Sequence, residues 1–563
     1  MGSNEESAQE ERLAALTLEA RRDLARIAHP SMPWLEPRMG PDGNPALDVL
    51  ILGAGQSGLA IAFALQRAQV NNVLAIDRAE YGREGPWSSY ARMRTLRSPK
   101  DYTGPDFDVP SLTYQAWHEA RFGVESWSAL ASIPTELWAC YLLWVRETTA
   151  VPVRNRCEAL EIAPAVDDLI AVRVRNDDGS HETLYARKLV LATGQEGMGR
   201  WWMPEFVASL PLRCRAHAAD AIDFGALAGK VVAVLGAGAS ALDNAAVALE
   251  HGAAEVHAFC RRPVPQLVQP YRWLTFAGFL RHLSDLDDAW RWRFMSTILG
   301  LREGFPQETW DRCACHRNFH LHTGAPWLGA RTLGERVEVE TPQGPFVADF
   351  LICGTGVDID FAHRPELRRF AANIATWADR YTPTPDQRDD RLARFPYLGR
   401  DFELLEKVPG TTPWIGNIHV FAIASTMSFG PSGSSINAMT TAVRKLVDGL
   451  TRGLFKADLE RHWRSLPPMT CRRQCSGRQR TRSARLRPQV ALGLTVCTDR
   501  PGGCDPDRQA APWRRSIPVG WGLGRRAQPR LSSPISATQS RQPSLGNPVS
   551  ATQSRQPSLS GPV

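Results

Sequence analysis

No stretch of this chain approaches the roughly 18 uninterrupted apolar residues that a membrane span requires. Its acidic opening, MGSNEESAQEER, lacks the basic and apolar regions of a secretory signal, and Glu6 stands where a myristoylation signal needs Ser or Thr. These absences imply a cytoplasmic protein with no membrane partner. Disulfide-framework spacing is also missing: the seven cysteines before residue 471 (Cys140, Cys157, Cys214, Cys260, Cys313, Cys315, Cys353) are odd in number and read as thiols. Cys313, Cys315 and His316 crowd too closely for a zinc knuckle and no second pair follows, so no metal site is expected. Residues 471–563 lack lysine and glutamate altogether, and their sixteen arginines face only three aspartates. That segment therefore carries +13 and the rest of the chain −6, so the overall +7 belongs to the tail and the mildly acidic body gives no hint of a nucleic-acid partner. The tail has no hydrophobic period and contains SATQSRQPSL twice, at 536–545 and 550–559. Residues 469–563 are expected to be a disordered, basic, low-complexity tail, with a composition that equally fits a shifted reading frame.

What is present is ample for folding. With 563 residues and 43% hydrophobic content, two or more cores are expected. Residues 8–28 set Leu13, Leu16, Leu18, Ala20, Leu24 and Ile27 mostly along one helical stripe, which the proline-rich segment after His29 ends. Residues 1–45 are therefore expected to form a helical lid or packing arm.

From Asp48 the pattern becomes strand, glycine turn, helix, strand, and it does so again from Lys230, the alternation of α/β units with parallel sheets. The first unit, DVLILGAGQSGLAIAFALQRAQVNNVLAID at 48–77, carries Gly53, Gly55, Gln56, Ser57 and Gly58 between strand and helix. Gly53 permits a tight turn, Gly55 lets backbone approach a pyrophosphate, and Gly58 lets helix and strand pack closely, while the helix N-terminus faces the phosphate charge. Asp77, 19 residues after Gly58, is placed to accept hydrogen bonds from ribose hydroxyls.

The second unit, KVVAVLGAGASALDNAAVALEHGAAEVHAFCRR at 230–262, repeats the arrangement with Gly236, Gly238, Ser240 and Ala241, alanine replacing the third glycine. Where the first unit has its acid, 24 residues after the first glycine, the second has Cys260 followed by Arg261 and Arg262. Two guanidiniums in place of a carboxylate argue for the 2′-phosphate of NADPH over NADH; a basic turn in solvent is the plainer alternative. Two more apolar strands end in Thr-Gly corners: KLVLATGQEG at 188–197, with Thr193 and Gly194, and DFLICGTGVDID at 349–360, with Gly354, Thr355 and Gly356. Such corners suit a chain crossing between domains beside a cofactor.

This order of motifs resembles the class B-type flavin-dependent monooxygenase superfamily over about residues 46–450. The Gly85-Pro86-Trp87 segment looks like the family's element near the flavin, and GNIHVFAIA at 416–424, leading to Ser434 and Ser435 at a helix start, looks like its closing FAD segment. The resemblance implies two Rossmann-like domains, with an NADPH domain at 211–340 inserted into an FAD domain formed by 46–210 and 341–468. It further implies an oxygen atom from O2 passed, through a flavin hydroperoxide, to a small substrate by hydroxylation or N- or S-oxygenation, with urate as one candidate. The family's histidine run before the second glycine motif survives only in part: His217 is kept, but Pro211, Arg213 and Ala221 replace its other residues. His217 is the candidate catalytic side chain, a domain-linking hydrogen bond being its other reading. A reductase or oxidase, or a non-catalytic redox scaffold, is the alternative function. A disulfide reductase would need two thiols a few residues apart over the flavin, and none follows Asp77 before Cys140. The TLRSPK loop at 95–100 resembles a bacterial branch of the superfamily, and the aromatic insertion between Gln266 and Trp327 could line a substrate pocket or be core.

Overall fold

A computed structural model describes residues 2–466 apart from 28–29, 103, 302–303 and 434. The expected tail at 469–563 and the site candidate Ser434 therefore lie outside the described residues.

The first apolar run forms the strand Pro45–Leu52, whose Val49, Leu50 and Ile51 are wholly buried, as a strand covered on both faces must be. It pairs in parallel with Val73–Ile76 on one side and His181–Leu191 on the other. The eleven-residue His181–Leu191 strand serves two neighbours: its first half pairs antiparallel with Ile170–Arg175, and its last residues pair in parallel with Ile418–Val420. Between Leu191 and Ile418 the chain builds a second, five-stranded parallel sheet. Its order is Phe319–Thr323, Glu255–Cys260, Val231–Leu235, Phe350–Cys353, Arg215–His217. The second sheet is thus inserted into the sequence of the first. Outward and return crossings meet as an antiparallel ribbon of Gly199–Trp201 against Val357–Ile359. The strand Phe350–Cys353 still belongs to the second sheet, so the chain returns after residue 353 and not at 340. The reason is register: Val232–Leu235 needs a parallel neighbour on its open edge, and Phe350–Cys353 pairs with it residue for residue.

Each sheet is closed by its own helix. Gln56–Arg67 buries Leu59, Ile61, Phe63 and Leu65, at about 1.5–3 kcal/mol for each large side chain. It shares the first core with the amphipathic helix Ile436–Ala457. Ala239–Glu250 covers the second sheet with alanines, small enough to bring helix and sheet close together.

The N-terminal helix Gly2–Arg26 is a packing arm. Leu16 and Ala20 are buried, Trp144 donates its indole N–H to Thr17 Oγ1 at 2.9 Å, and Arg12 donates to the Ala120 carbonyl at 2.8 Å. Leu18 and Ile27 were expected on the stripe but are 55% and 41% exposed. Leu18 stands two residues from Leu16, on the other side of a 3.6-residue turn, and Ile27 lies past the helix end. The aromatic insertion divides: Trp292 is fully buried, with its indole donating to the Gln387 carbonyl at 3.0 Å, whereas Trp273 and Trp290 are about half exposed.

Candidate functional site

At the first glycine loop, steric limits select the residues. A Cβ on Gly58 would lie 1.9 Å from the Gly53 carbonyl oxygen, and one on Gly53 would lie 2.4 Å from that of Ala192. Gly55 faces Gly85, whose Cα would sit 3.3 Å from a Gly55 Cβ, so the segment carrying Pro86 and Trp87 folds directly over the loop. Asp77 holds the loop from the end of the next strand: its carboxylate accepts from Ala54 N–H and Ala79 N–H, each at 2.8 Å. Gln56 accepts from the Trp138 indole at 3.3 Å, while Ser57 is half-buried. A cleft beside the loop is lined by Gly55, Gln56, Glu84, Trp87 and Arg146. Two buried polar atoms around this loop, Trp87 Nε1 and Thr193 Oγ1, find no partner in the protein. A buried donor left unpaired costs about 1–3 kcal/mol, so both atoms fit a bound group that supplies acceptors there.

The second loop uses another solution. Ala241 stands where the fingerprint has its third glycine, and the room for its methyl comes from Gly354, where a Cβ would lie 2.4 Å from Ala241 Cβ. Gly236 is packed against the same pair, its own Cβ position 2.8 Å from the Gly354 carbonyl oxygen. Gly238 is the N-cap of Ala239–Glu250, and Ser240 is exposed in the first helical turn. Thr355 donates its hydroxyl to the Trp202 carbonyl, and the Gly356 carbonyl accepts from Trp202 N–H at 2.9 Å, so this corner fastens the crossing ribbon. Gly194 plays the same part on the first sheet, its carbonyl accepting from Ile423 N–H at 3.2 Å. The strand Glu255–Cys260 ends with Cys260 buried and Arg261 exposed. Arg262 turns the other way and donates to the carbonyls of Gly300 and Leu301 at 3.1 and 3.2 Å, satisfying the end of the helix Asp288–Leu301. Ser435 is the half-buried N-cap of Ile436–Ala457, with no side-chain cap bond.

His217 ends the strand Arg215–His217, only 2% exposed and stacked on Trp201 with centroids 5.1 Å apart. Its Nδ1 accepts from Ala219 N–H at 3.1 Å, which assigns the proton of the neutral ring to Nε2. Burial pushes its pKa down to about 4, with Asp220 opposing, so the ring is neutral at physiological pH.

Several residues that hold the site were not picked out from sequence. Arg97 pairs with the buried Asp243 at 2.8 Å, and Asp243 also accepts from Thr309 at 2.8 Å. Arg312 grips Glu250 with two bonds of 2.9 and 3.1 Å, and Arg94 reaches the same carboxylate at 2.9 Å. Arg92 donates to the Asp220 carbonyl at 2.6 Å, beside His217. The loop from Arg92 to Arg97 therefore bolts the first unit to the helices of the second. One signal was available: Asp243 and Asn244 interrupt an otherwise apolar helix, and a buried carboxylate requires a partner. Cys313, behind the second helix, is not placed for thiol exchange. Cys313 is fully buried and burial pushes it up to about 12, far from the thiolate that disulfide reduction needs.

Two sheets with parallel cores, each opening from a central strand into a glycine loop and a helix start, are the architecture of oxidoreductases with paired dinucleotide domains. The family model described as pyridine nucleotide-disulphide oxidoreductase matches residues 50–275. Over 447 residues the chain is 42% identical to the FAD-dependent urate hydroxylase of Xanthomonas campestris pv. campestris, covering 79% of this chain and 94% of that protein. Among solved structures it is similar to the reduced form of ornithine hydroxylase from Pseudomonas aeruginosa, with a TM-score of 0.57 and 17% identity over 73% of this chain and all of that one. L-lysine 6-monooxygenase from Pseudomonas syringae is comparable, with a TM-score of 0.54 and 18% identity over 72% of this chain and 100% of that chain. These two structures speak for the fold. The chain belongs to the class B-type flavin-dependent monooxygenase superfamily. No helix among the described residues is long and apolar enough to cross a membrane.

Proposed function

We propose that the protein is an FAD-dependent, NADPH-using cytoplasmic monooxygenase that hydroxylates urate with one atom of O2. The observation that carries the urate reading is the 42% identity to a urate hydroxylase, sustained over 94% of that protein. FAD would lie on the first loop, its pyrophosphate against Gly53, Gly55 and the start of Gln56–Arg67, with Asp77 both bracing the loop and offering lone pairs to a ribose. Trp87 and Thr193 supply donors that the protein leaves unpaired. Ser435 begins the helix that would meet the flavin ring from its positive end. NADPH would lie on the second loop, Gly236, Gly238 and Ala241, with the exposed Arg261 reading the 2′-phosphate. Flavin reduced by the nicotinamide supplies the oxygen-activating chemistry.

The chain's own residues orient the two cofactors and exclude water between them. His217, neutral and stacked on Trp201, fits a positioning role: at pH 7 it offers Nε2–H as a hydrogen-bond donor and no exchangeable charge. The ribbon formed by Gly199–Trp201 and Val357–Ile359 carries both crossings between the FAD unit and the NADPH unit.

The test follows four quantities in one assay of purified protein: NADPH oxidation, O2 uptake, urate disappearance and peroxide release. Urate should accelerate NADPH oxidation and be consumed one for one with it. NADPH oxidation indifferent to urate, with all O2 recovered as peroxide, would reject the substrate. No NADPH oxidation in flavin-loaded protein would reject the enzyme.

A further inference from the structure

Outside this site, the two outer strands of the second sheet bring three histidines and a glutamate together. Glu255–Cys260 and Phe319–Thr323 run parallel with His257 directly opposite His320. Residues two apart on a strand share a face, so Glu255, His257, His320 and His322 all project to the same side. One ligand atom each from Glu255, His257 and His320 lies within 4.8 Å of the others. His257 is the fixed member: it is 8% exposed, backed by Phe346 with centroids 4.5 Å apart, and held at both nitrogens. Its Nε2 is 3.0 Å from Glu255 Oε2 and its Nδ1 is 2.9 Å from His322 Nε2. Glu255 and His320 are exposed, the former bonded to His257 and the latter stacked on it with centroids 4.5 Å apart.

We propose that Glu255, His257 and His320 bind one divalent transition-metal ion of the zinc class, with His322 as the orienting partner of His257. Two imidazoles and one carboxylate form a borderline donor set that suits Zn2+, Ni2+ or Cu2+, whereas Mg2+ and Ca2+ take mainly oxygen ligands. The fourth position falls on the open side, to water. The proton count closes without release: the neutral His257 ring places its single proton on Nδ1, donated to His322 Nε2, and offers its Nε2 lone pair, on the Glu255 side, to the ion. No redox change is involved. Ligand atoms of a tetrahedral zinc site lie about 3.3–3.5 Å apart, which follows from bonds of about 2.0–2.1 Å, a spacing that small side-chain shifts reach from atoms already within 4.8 Å of one another. The ion would add a cross-link to the ladder that joins the edge strand Phe319–Thr323 to Glu255–Cys260.

The test uses the full chain freed of metal by chelator and dialysed against Zn2+, then loaded with Co2+ as a spectroscopic probe. Wild type should hold one more equivalent of Zn2+ than His320→Ala, a surface change that leaves the fold intact, and His316→Ala should match wild type. His322→Phe should weaken zinc binding by about ten- to a hundred-fold while keeping the stoichiometry. The Co2+ form should show visible bands of nitrogen and oxygen ligation that His320→Ala loses. Equal zinc content in wild type and His320→Ala, or cobalt spectra with thiolate charge-transfer bands alone, would overturn the site and assign any bound metal to cysteines.

Discussion

Ala241 and Gly354 fill one space: the methyl that the second glycine loop carries in place of a third glycine occupies the volume that a Cβ on Gly354 would need, 2.4 Å away. Gly354→Ala should therefore overpack the loop and destabilise the protein by about 1–3 kcal/mol, with a matching loss of NADPH-driven flavin reduction. Adding Ala241→Gly should restore part of the melting temperature. It cannot restore all of it, because the Ala241 Cα also lies only 2.7 Å from the new Cβ. Additive losses in the double variant would separate the two residues.

The first loop is tested by Gly55→Val. A Cβ at this position already presses on Gly85 at 3.3 Å, and two further methyls would occupy the approach that a pyrophosphate needs. Purified variant protein should lack the yellow flavin spectrum while its circular dichroism stays that of an α/β protein. A normal flavin content would remove this loop from the cofactor site.

Cofactor preference should rest on one arginine of the pair. Arg261 is exposed at the strand end, whereas Arg262 is committed to the carbonyls of Gly300 and Leu301. Arg261→Ala should raise the KM for NADPH about ten- to a hundred-fold, the worth of a charge-assisted contact of roughly 1.5–3 kcal/mol, and leave NADH nearly unchanged. Arg262→Ala should instead lower thermal stability by about 1 kcal/mol, with little effect on the ratio of the two cofactors. The reverse pattern would mean that Arg262 leaves its helix to read the phosphate.

Acid should unfold the protein through two neutral histidines. Burial holds His217 down to about 4 and His419 down to about 3, the latter with its Nδ1–H donated to the Asp401 carbonyl at 2.7 Å. In the unfolded chain both take up protons near pH 6.5, so their contribution is complete above that value and falls as pH drops toward the folded pKa. By pH 5 the loss is roughly 2 kcal/mol each, at about 1.36 kcal/mol per pH unit. Asp106, pushed up to about 6 by burial, works in the opposite sense between pH 6 and its ordinary 3.8, and by pH 5 offsets only part of this. Denaturant titrations at pH 7 and pH 5 should show the difference, and His419→Gln should remove about 2 kcal/mol of it, more than half of what remains after the Asp106 offset. A pH-independent midpoint would mean that these rings titrate normally.

The glycine loops, the closing helices and the exchange of Asp77 for Cys260 and Arg261 were legible in sequence because each depends on residues within one strand-loop-helix unit. Local backbone geometry, helix period and strand-end chemistry need no distant partner to be read. The insertion of one sheet into the other was also readable, from the order of the four apolar strands. What only the tertiary structure decided are the pairings between units. Gly354 is required by Ala241, 113 residues earlier, Gly85 closes over Gly55, and Arg97 neutralises Asp243 inside a helix that otherwise reads as apolar. The histidine cluster is the plainest case. Glu-x-His and His-x-His lie more than sixty residues apart in sequence, and only the parallel register that sets His257 beside His320 makes them one group. Register between distant strands depends on which apolar faces meet in the folded core, and a single sequence states the faces but not the match.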